Sequence, residues 1–153
     1  MREKKTIRIG NASGYWGDDP NALKRQVEKG KLDYITMDFL AEITMSILQK
    51  QVQKNPDMGY ARDFIPMLME VLPQVLEQKV KIITNAGGIN PESCCRKIQT
   101  LAEKMGLHPK IAIVSGDNIL PKIDSLYPNS ALFNNMETGE KFSQVSDRLA
   151  CAN

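Results

Sequence analysis

The stretch Ile82-Ile83-Thr84-Asn85-Ala86-Gly87-Gly88-Ile89-Asn90-Pro91-Glu92 decides how this chain is read. An apolar, β-branched run breaks into a polar, glycine-rich loop and re-enters a helix. Asn90 suits the N-cap and Pro91 the first helical position. Gly87 and Gly88 permit positive φ and close backbone approach. The free amides of that first turn would suit an anion. In a parallel α/β sheet such strand-to-helix junctions lie at the carboxyl ends of the strands, where ligands bind.

Outward from this junction, the rest of the chain repeats the pattern. Apolar runs at Thr6–Ile9, Tyr34–Met37, Val80–Thr84 and Ile111–Val114 lack clean alternation, as expected of strands covered on both faces. Helical periodicity separates them. Asp19-Pro20 opens a first helix, with Leu23 and Val27 four apart and Gly30 as its stop. Leu40–Lys54 carries Leu40, Ile43, Ile47 and Leu48 on one face. A third helix over Ala61–Gln78 contains Pro73, which predicts a kink or break. Pro91–Met105 has Cys94, Ile98, Leu101, Ala102 and Met105 in helical register and ends at Gly106. A short helix is expected from near Asn118 to before Pro128.

The alternation predicts an α/β fold, a three-layer sandwich with a parallel sheet. The start of a β/α barrel is the alternative. Residues 1–128 form the expected core with four parallel strands. Residues 129–153 form a polar tail, expected to continue into a missing part of the domain.

Bulk composition narrows the function classes. The 153 residues suffice for one domain, and 42% hydrophobic with 25% charged residues is ordinary for a globular protein. A net charge of +2 gives no electrostatic case for nucleic acid or an anionic membrane. No apolar run approaches a membrane span, and the charged N-terminus leads into a strand rather than a signal sequence. The cysteines Cys94, Cys95 and Cys151 are odd in number, which disfavours a disulfide framework; a reducing cytoplasm is the expected compartment.

Four expected strand-end loops supply the candidate chemistry. The first contains Asn11, Ser13, Gly14 and Trp16; its glycine spacing is not the dinucleotide fingerprint. It is either a ligand loop or a plain turn with Asp19 as a helix cap. Trp16 either walls a pocket or covers core. The second loop brings Asp38 and Glu42, the third Asn85, Gly87, Gly88 and Asn90, the fourth Asp117. Asp38, Glu42 and Asp117 are candidates for general acid and base, or for holding Mg²⁺ or another divalent cation. Helix capping would also explain Asp38 and Asp117. Cys94 is expected in the core, and Cys95 on the flank of the first helical turn. The single histidine, His108, falls at the opposite edge, so Cys-His and Ser-His-Asp mechanisms and Cys/His zinc sites are disfavoured.

As a set, these loops resemble the acyclic terpene utilisation (AtuA) family. The resemblance rests on Ile7–Asp18, on Gly30–Met45, on Thr84–Pro91 and on Ser115-Gly116-Asp117-Asn118, in order along the chain. Glu137-Thr138-Gly139 and Asp147-Arg148-Leu149 resemble the family's continuation. It implies a cytoplasmic catabolic protein of bacterial type, linked to breakdown of acyclic terpenes such as citronellol and geraniol through CoA thioesters. The chain then resembles the first third of longer members. Binding or transformation of an acyl-CoA or branched carboxylic acid at the strand-end loops follows as the expectation. The alternatives are a non-catalytic binding or assembly module, as an oligomer or with a partner chain that completes the sheet, and a truncated reading frame without activity of its own.

Overall fold

The computed structural model describes residues 6–126 and 134–145. It divides into two compact units, residues 1–113 and 114–153.

In the first unit the order is β1 (Ile9–Ser13), α1 (Ala22–Lys29), β2 (Tyr34–Met37), α2 (Glu42–Lys54), α3 (Phe64–Gln78), β3 (Lys81–Thr84) and α4 (Pro91–Lys104). The strands form an open parallel sheet in the order β1-β2-β3. The fold is an α/β sandwich. Tyr34 to Met37 pair in register with Lys81 to Thr84, and Ile9 pairs with Tyr34. Each crossover steps the same way across the sheet. Right-handed connections therefore place their helices on one face, where α1 packs on α3 and α3 on α4.

That face holds the core. Ile35 of β2 is fully buried, as is Leu23 of α1, and Leu68, Leu72 and Ile98 join the same cluster. Burying each such side chain contributes about 1.5–3 kcal/mol. The opposite face carries Ile9 at 65% and Ile83 at 58% exposure, so the strands alternate buried and open sides. α2 stands apart from this layer. Its Leu48 is fully buried and abuts Gly88, and Val52 abuts Gly59, while Ile43 and Ile47 of the expected apolar face are exposed. The helix braces the strand-end loops by one edge only.

Three sequence expectations need correction. β1 lies further along than Thr6–Ile9, because Gly10, Asn11 and Ser13 pair with Ile35, Thr36 and Met37. Glycine and asparagine are poor strand formers, yet a neighbouring ladder overrides that preference. A Cβ at Gly10 would meet the ends of the Leu32 and Gln26 side chains, which would have to shift to admit it. Pro73 does not break α3, which runs unbroken from Phe64 to Gln78. Buried Val71, Leu72 and Val75 hold both sides of the proline in place.

The expected fourth strand, Ile111–Val114, is not a strand, and among the described residues the sheet has three. Ile111 packs against the core, but Ile113 and Val114 are exposed, at 39% and 94%. A backbone without a ladder partner must turn its polar groups to water. α4 otherwise follows the sequence: Asn90 caps it by accepting the Ser93 amide at 3.3 Å, and Gly106 (φ 69°) follows its last turn.

In the second unit a 3₁₀ turn (Leu120–Lys122) leads into α5 (Ile123–Leu126), and α6 spans Phe142–Val145. Asn134 and Lys141 form an isolated antiparallel bridge around a polar turn containing Gly139. The Asp147-Arg148-Leu149 motif and Cys151 lie outside the described residues. No helix of the described residues is long and apolar enough to cross a membrane.

Candidate functional site at the strand ends

The carboxyl ends of β1, β2 and β3 meet in a continuous hydrogen-bond net. The Asp38 amide donates to the Ser13 carbonyl at 2.9 Å, extending the β1–β2 ladder by one residue. The Ser13 hydroxyl, almost fully buried, lies 2.9 Å from the Asp38 carbonyl and 3.0 Å from that of Tyr15. Its one proton is shared between them, so the Ser13 hydroxyl fixes the Asp38 backbone. Asn11 accepts the Ser13 amide at 3.0 Å and donates to the Thr36 hydroxyl at 3.3 Å. Asn11 is exposed at the middle of β1, two residues before the strand ends.

Across β2 and β3, Asn85 and Asp38 form a closed exchange. The Phe39 amide donates to Asn85 Oδ1 at 2.8 Å, and Asn85 Nδ2 donates to Asp38 Oδ1 at 2.6 Å. The Leu40 amide also donates to Asp38 Oδ1, at 3.1 Å. The Asn85 amide, and then the Leu40 N–H, hold the Asp38 carboxyl below the usual aspartate range; slight burial opposes them weakly. The Phe39 backbone adds to the lowering, so Asp38 is ionised at neutral pH; it is exposed, and the bonds from Asn85 and Leu40 both fall on Oδ1.

Beside this net opens a cleft of about 270 Å³. Ser13, Phe39 and Met67 wall it, with the carboxylates Asp18, Asp19 and Asp63 around them and no lysine or arginine in its lining. Asp18 accepts the amides of Gly14 and Asp19, both at 2.8 Å, and those bonds lower its pKa. Asp19 pairs with Arg25 at 2.6 Å. Trp16 is half-buried, packs on the core, and donates its indole N–H to Asp63 at 3.0 Å. Of the two roles the sequence left open it takes the second, covering core, and it also ties the first loop to the start of α3; it is not among the residues that line the cleft.

The third loop behaves otherwise. Its amides are spent inside the protein. Ala86 N donates to Thr84 Oγ1, Gly88 N to the Asn85 carbonyl, Ile89 N to Gly59 and Asn90 N to Gly87. Asn90 Nδ2 donates to the carbonyls of Pro56 and Met58 at 2.8 and 2.7 Å. A Cβ on Gly88 would strike the Gly59 carbonyl and Leu48, and one on Gly87 would press on Pro91. These glycines are required by the protein's own packing. Most of the amides that the expected anion site would use, those of Ala86, Gly88, Ile89, Asn90, Ser93 and Cys94, are thus bonded within the protein, because a loop closing on itself satisfies them first.

Glu42 is exposed at the first residue of α2. Asp117 is exposed in the second unit, between Gly116 and Asn118, whose side chain caps the Leu120 amide at 3.1 Å. Among the described residues no three His, Cys, Asp or Glu side chains gather to hold a metal. Cys94 is buried in the core and desolvation pushes its thiol up to about 11, which leaves it a packing residue. Phe39, Asp63 and Met67 went unnoticed in the sequence. Only the need of an indole N–H for an acceptor hints at Asp63, and nothing local joins positions 16 and 63.

An open parallel sheet with polar loops meeting at its carboxyl edge is the arrangement of the α/β ligand-binding proteins and enzymes. Within that class, the chain belongs to the acyclic terpene utilisation family AtuA, whose model matches residues 7–153. No curated protein and no solved structure matches the chain.

Proposed function

We propose that this chain receives a branched carboxylic acid, or its acyl-CoA thioester, from acyclic terpene breakdown at the loops after β1 and β2. The observation that carries this reading is Asp38: an ionised, exposed carboxylate whose side-chain hydrogen bonds fall on Oδ1, next in sequence to Phe39, which lines the cleft together with Met67. Asp38 is the group to accept a hydrogen bond or a proton from the ligand. Asn11 offers a polar side chain on the same edge, Ser13 holds the Asp38 backbone, and Glu42 supplies a second carboxylate in the β2–α2 connection. The carboxylates around the cleft repel anions. The uncharged acyl end of a thioester therefore suits it better than a free carboxylate, with the CoA phosphates left outside. Family membership supplies the link to acyclic terpenes.

A thermal melt with and without a branched acyl-CoA tests this, since binding to the native state alone raises stability by RT ln(1 + [L]/Kd). The melting temperature should rise in the wild type and stay unchanged in Asp38→Asn. An equal rise in both chains removes Asp38 from the site. No rise in the wild type rejects the reading.

A second reading, a non-catalytic assembly module, is favoured by the open face of the sheet, where Ile9 and Ile83 are exposed. Parallel sheets are normally covered on both faces. Concentration-dependent self-association in sedimentation, abolished by Ile83→Lys, is its expected mark. A monomer at all concentrations rejects it.

A further inference from the structure

The sequence alone makes Asn85 one more polar group for a ligand to touch. The hydrogen bonds give it a different task. Its amide spans the ends of β3 and β2, with the oxygen taking the Phe39 N–H at 2.8 Å and the nitrogen giving a proton to Asp38 Oδ1 at 2.6 Å. Both ends of the side chain are thus engaged by two consecutive residues. The Leu40 N–H converges on the same Asp38 oxygen, at 3.1 Å. Asp38 is also gripped through its backbone, where its N–H meets the Ser13 carbonyl and its carbonyl meets the Ser13 hydroxyl, each at 2.9 Å. Every one of these contacts leaves Oδ2 alone.

We propose that Asn85 is a positioning residue, which holds the Asp38 carboxylate by one oxygen so that the other is presented, in a fixed direction, to a hydrogen-bond or proton donor on the ligand. This rests on the reading of Asp38 as the ligand's acceptor. The chemistry it selects is a group able to donate: an enol or hydroxyl proton, or an acidic C–H next to a thioester carbonyl. In this role Asn85 acts through Asp38 and not by its own contact with the ligand, which the double-mutant cycle below separates. A rigid acceptor loses little orientational freedom on binding, which is the advantage such clamps confer.

A double-mutant cycle separates action through Asp38 from direct contact. Affinity for a branched acyl-CoA is measured calorimetrically in the wild type, Asn85→Ala, Asp38→Asn and the double variant. Asn85→Ala should weaken binding about tenfold, the size of one charge-assisted hydrogen bond. In the Asp38→Asn background it should change nothing. The same loss in both backgrounds overturns the proposal, since Asn85 would then act without Asp38.

Asn85→Asp guards against misfolding: it keeps an oxygen for the Phe39 N–H and removes the donor to Asp38. It should weaken binding at least as much as Asn85→Ala. Unchanged binding in Asn85→Asp overturns the proposal as well. The carboxyl titration of Asp38, followed by carbon NMR, needs no ligand. Its midpoint should move up toward the ordinary aspartate value in Asn85→Ala, and an unmoved midpoint overturns the clamp. A wild-type chain that binds no acyl-CoA, with the midpoint shifting as expected, overturns the ligand reading and leaves the clamp standing.

Discussion

The loops after β1 and β3 each carry two glycines among polar residues, and both leave the carboxyl edge of the sheet. They have opposite fates. The loop after β3 turns its amides inward, onto Thr84, Asn85, Gly59 and Gly87, and its glycines are pressed against Leu48, Gly59 and Pro91. The loop after β1 is held at its base by Asp18 and by Trp16 to Asp63, and leaves a cleft beside Phe39. Glycine content does not tell a ligand loop from a sealed one. What separates them is where the backbone donors go and what stands where a Cβ would point.

Substitutions can break that contrast. Gly88→Ala should have the largest effect. Gly88 sits at φ 58°, and a Cβ there meets the Gly59 carbonyl and Leu48. The strained backbone and the overpacking together predict a loss of about 2–4 kcal/mol in denaturant unfolding. A loss near zero would mean that the loop is open after all.

Asn90→Ala removes the cap on Ser93 N and two bonds to the carbonyls of Pro56 and Met58. It should cost about 1–3 kcal/mol by the same measurement, with the helical content of α4 reduced.

The core beneath the sealed loop can be probed with pH. The Cys94 thiol is pushed up to about 11 in the folded state by desolvation. A raised pKa means that the folded form favours the protonated thiol. Its contribution is complete below the unfolded value, about 8.5, and is lost as pH rises toward 11. Wild-type stability should fall across that window, and Cys94→Ala should lack this part of the fall. The same slope in both chains would place Cys94 outside the core.

Gly14→Ala in the first loop should have the smallest effect, within about 0.5 kcal/mol of wild type. Gly14 is not at positive φ, and the nearest atom to a Cβ there is Asp18 Oδ2, at 3.7 Å. A cost equal to that of Gly88→Ala would erase the difference between the two loops.

Much of this was legible in the sequence where local chemistry and tertiary packing agree. β2 and α4 are examples: Tyr34–Met37 is a strand as read, and Asn90-Pro91 starts a helix as read. The loops' shared location at one edge follows from the β-α alternation, which puts Asp38 and Asn85 there as well. Their partnership was not legible. It joins positions 47 apart, through a register that only the folded sheet defines. The extension of β1 through Gly10 and Asn11 was hidden for the same reason, since β2 supplies the ladder. The Ile111–Val114 run shows the converse: apolar, β-branched composition without a ladder partner does not make a strand.

The contrast between the loops can be tested in one titration. Backbone amide signals are followed by NMR as a branched acyl-CoA is added to the wild-type chain. The account predicts shifts at residues 13–19 and 38–40, with residues 86–90 unmoved. Shifts concentrated at 86–90, with the Asp38 corner silent, would contradict it and return the ligand to the glycine pair.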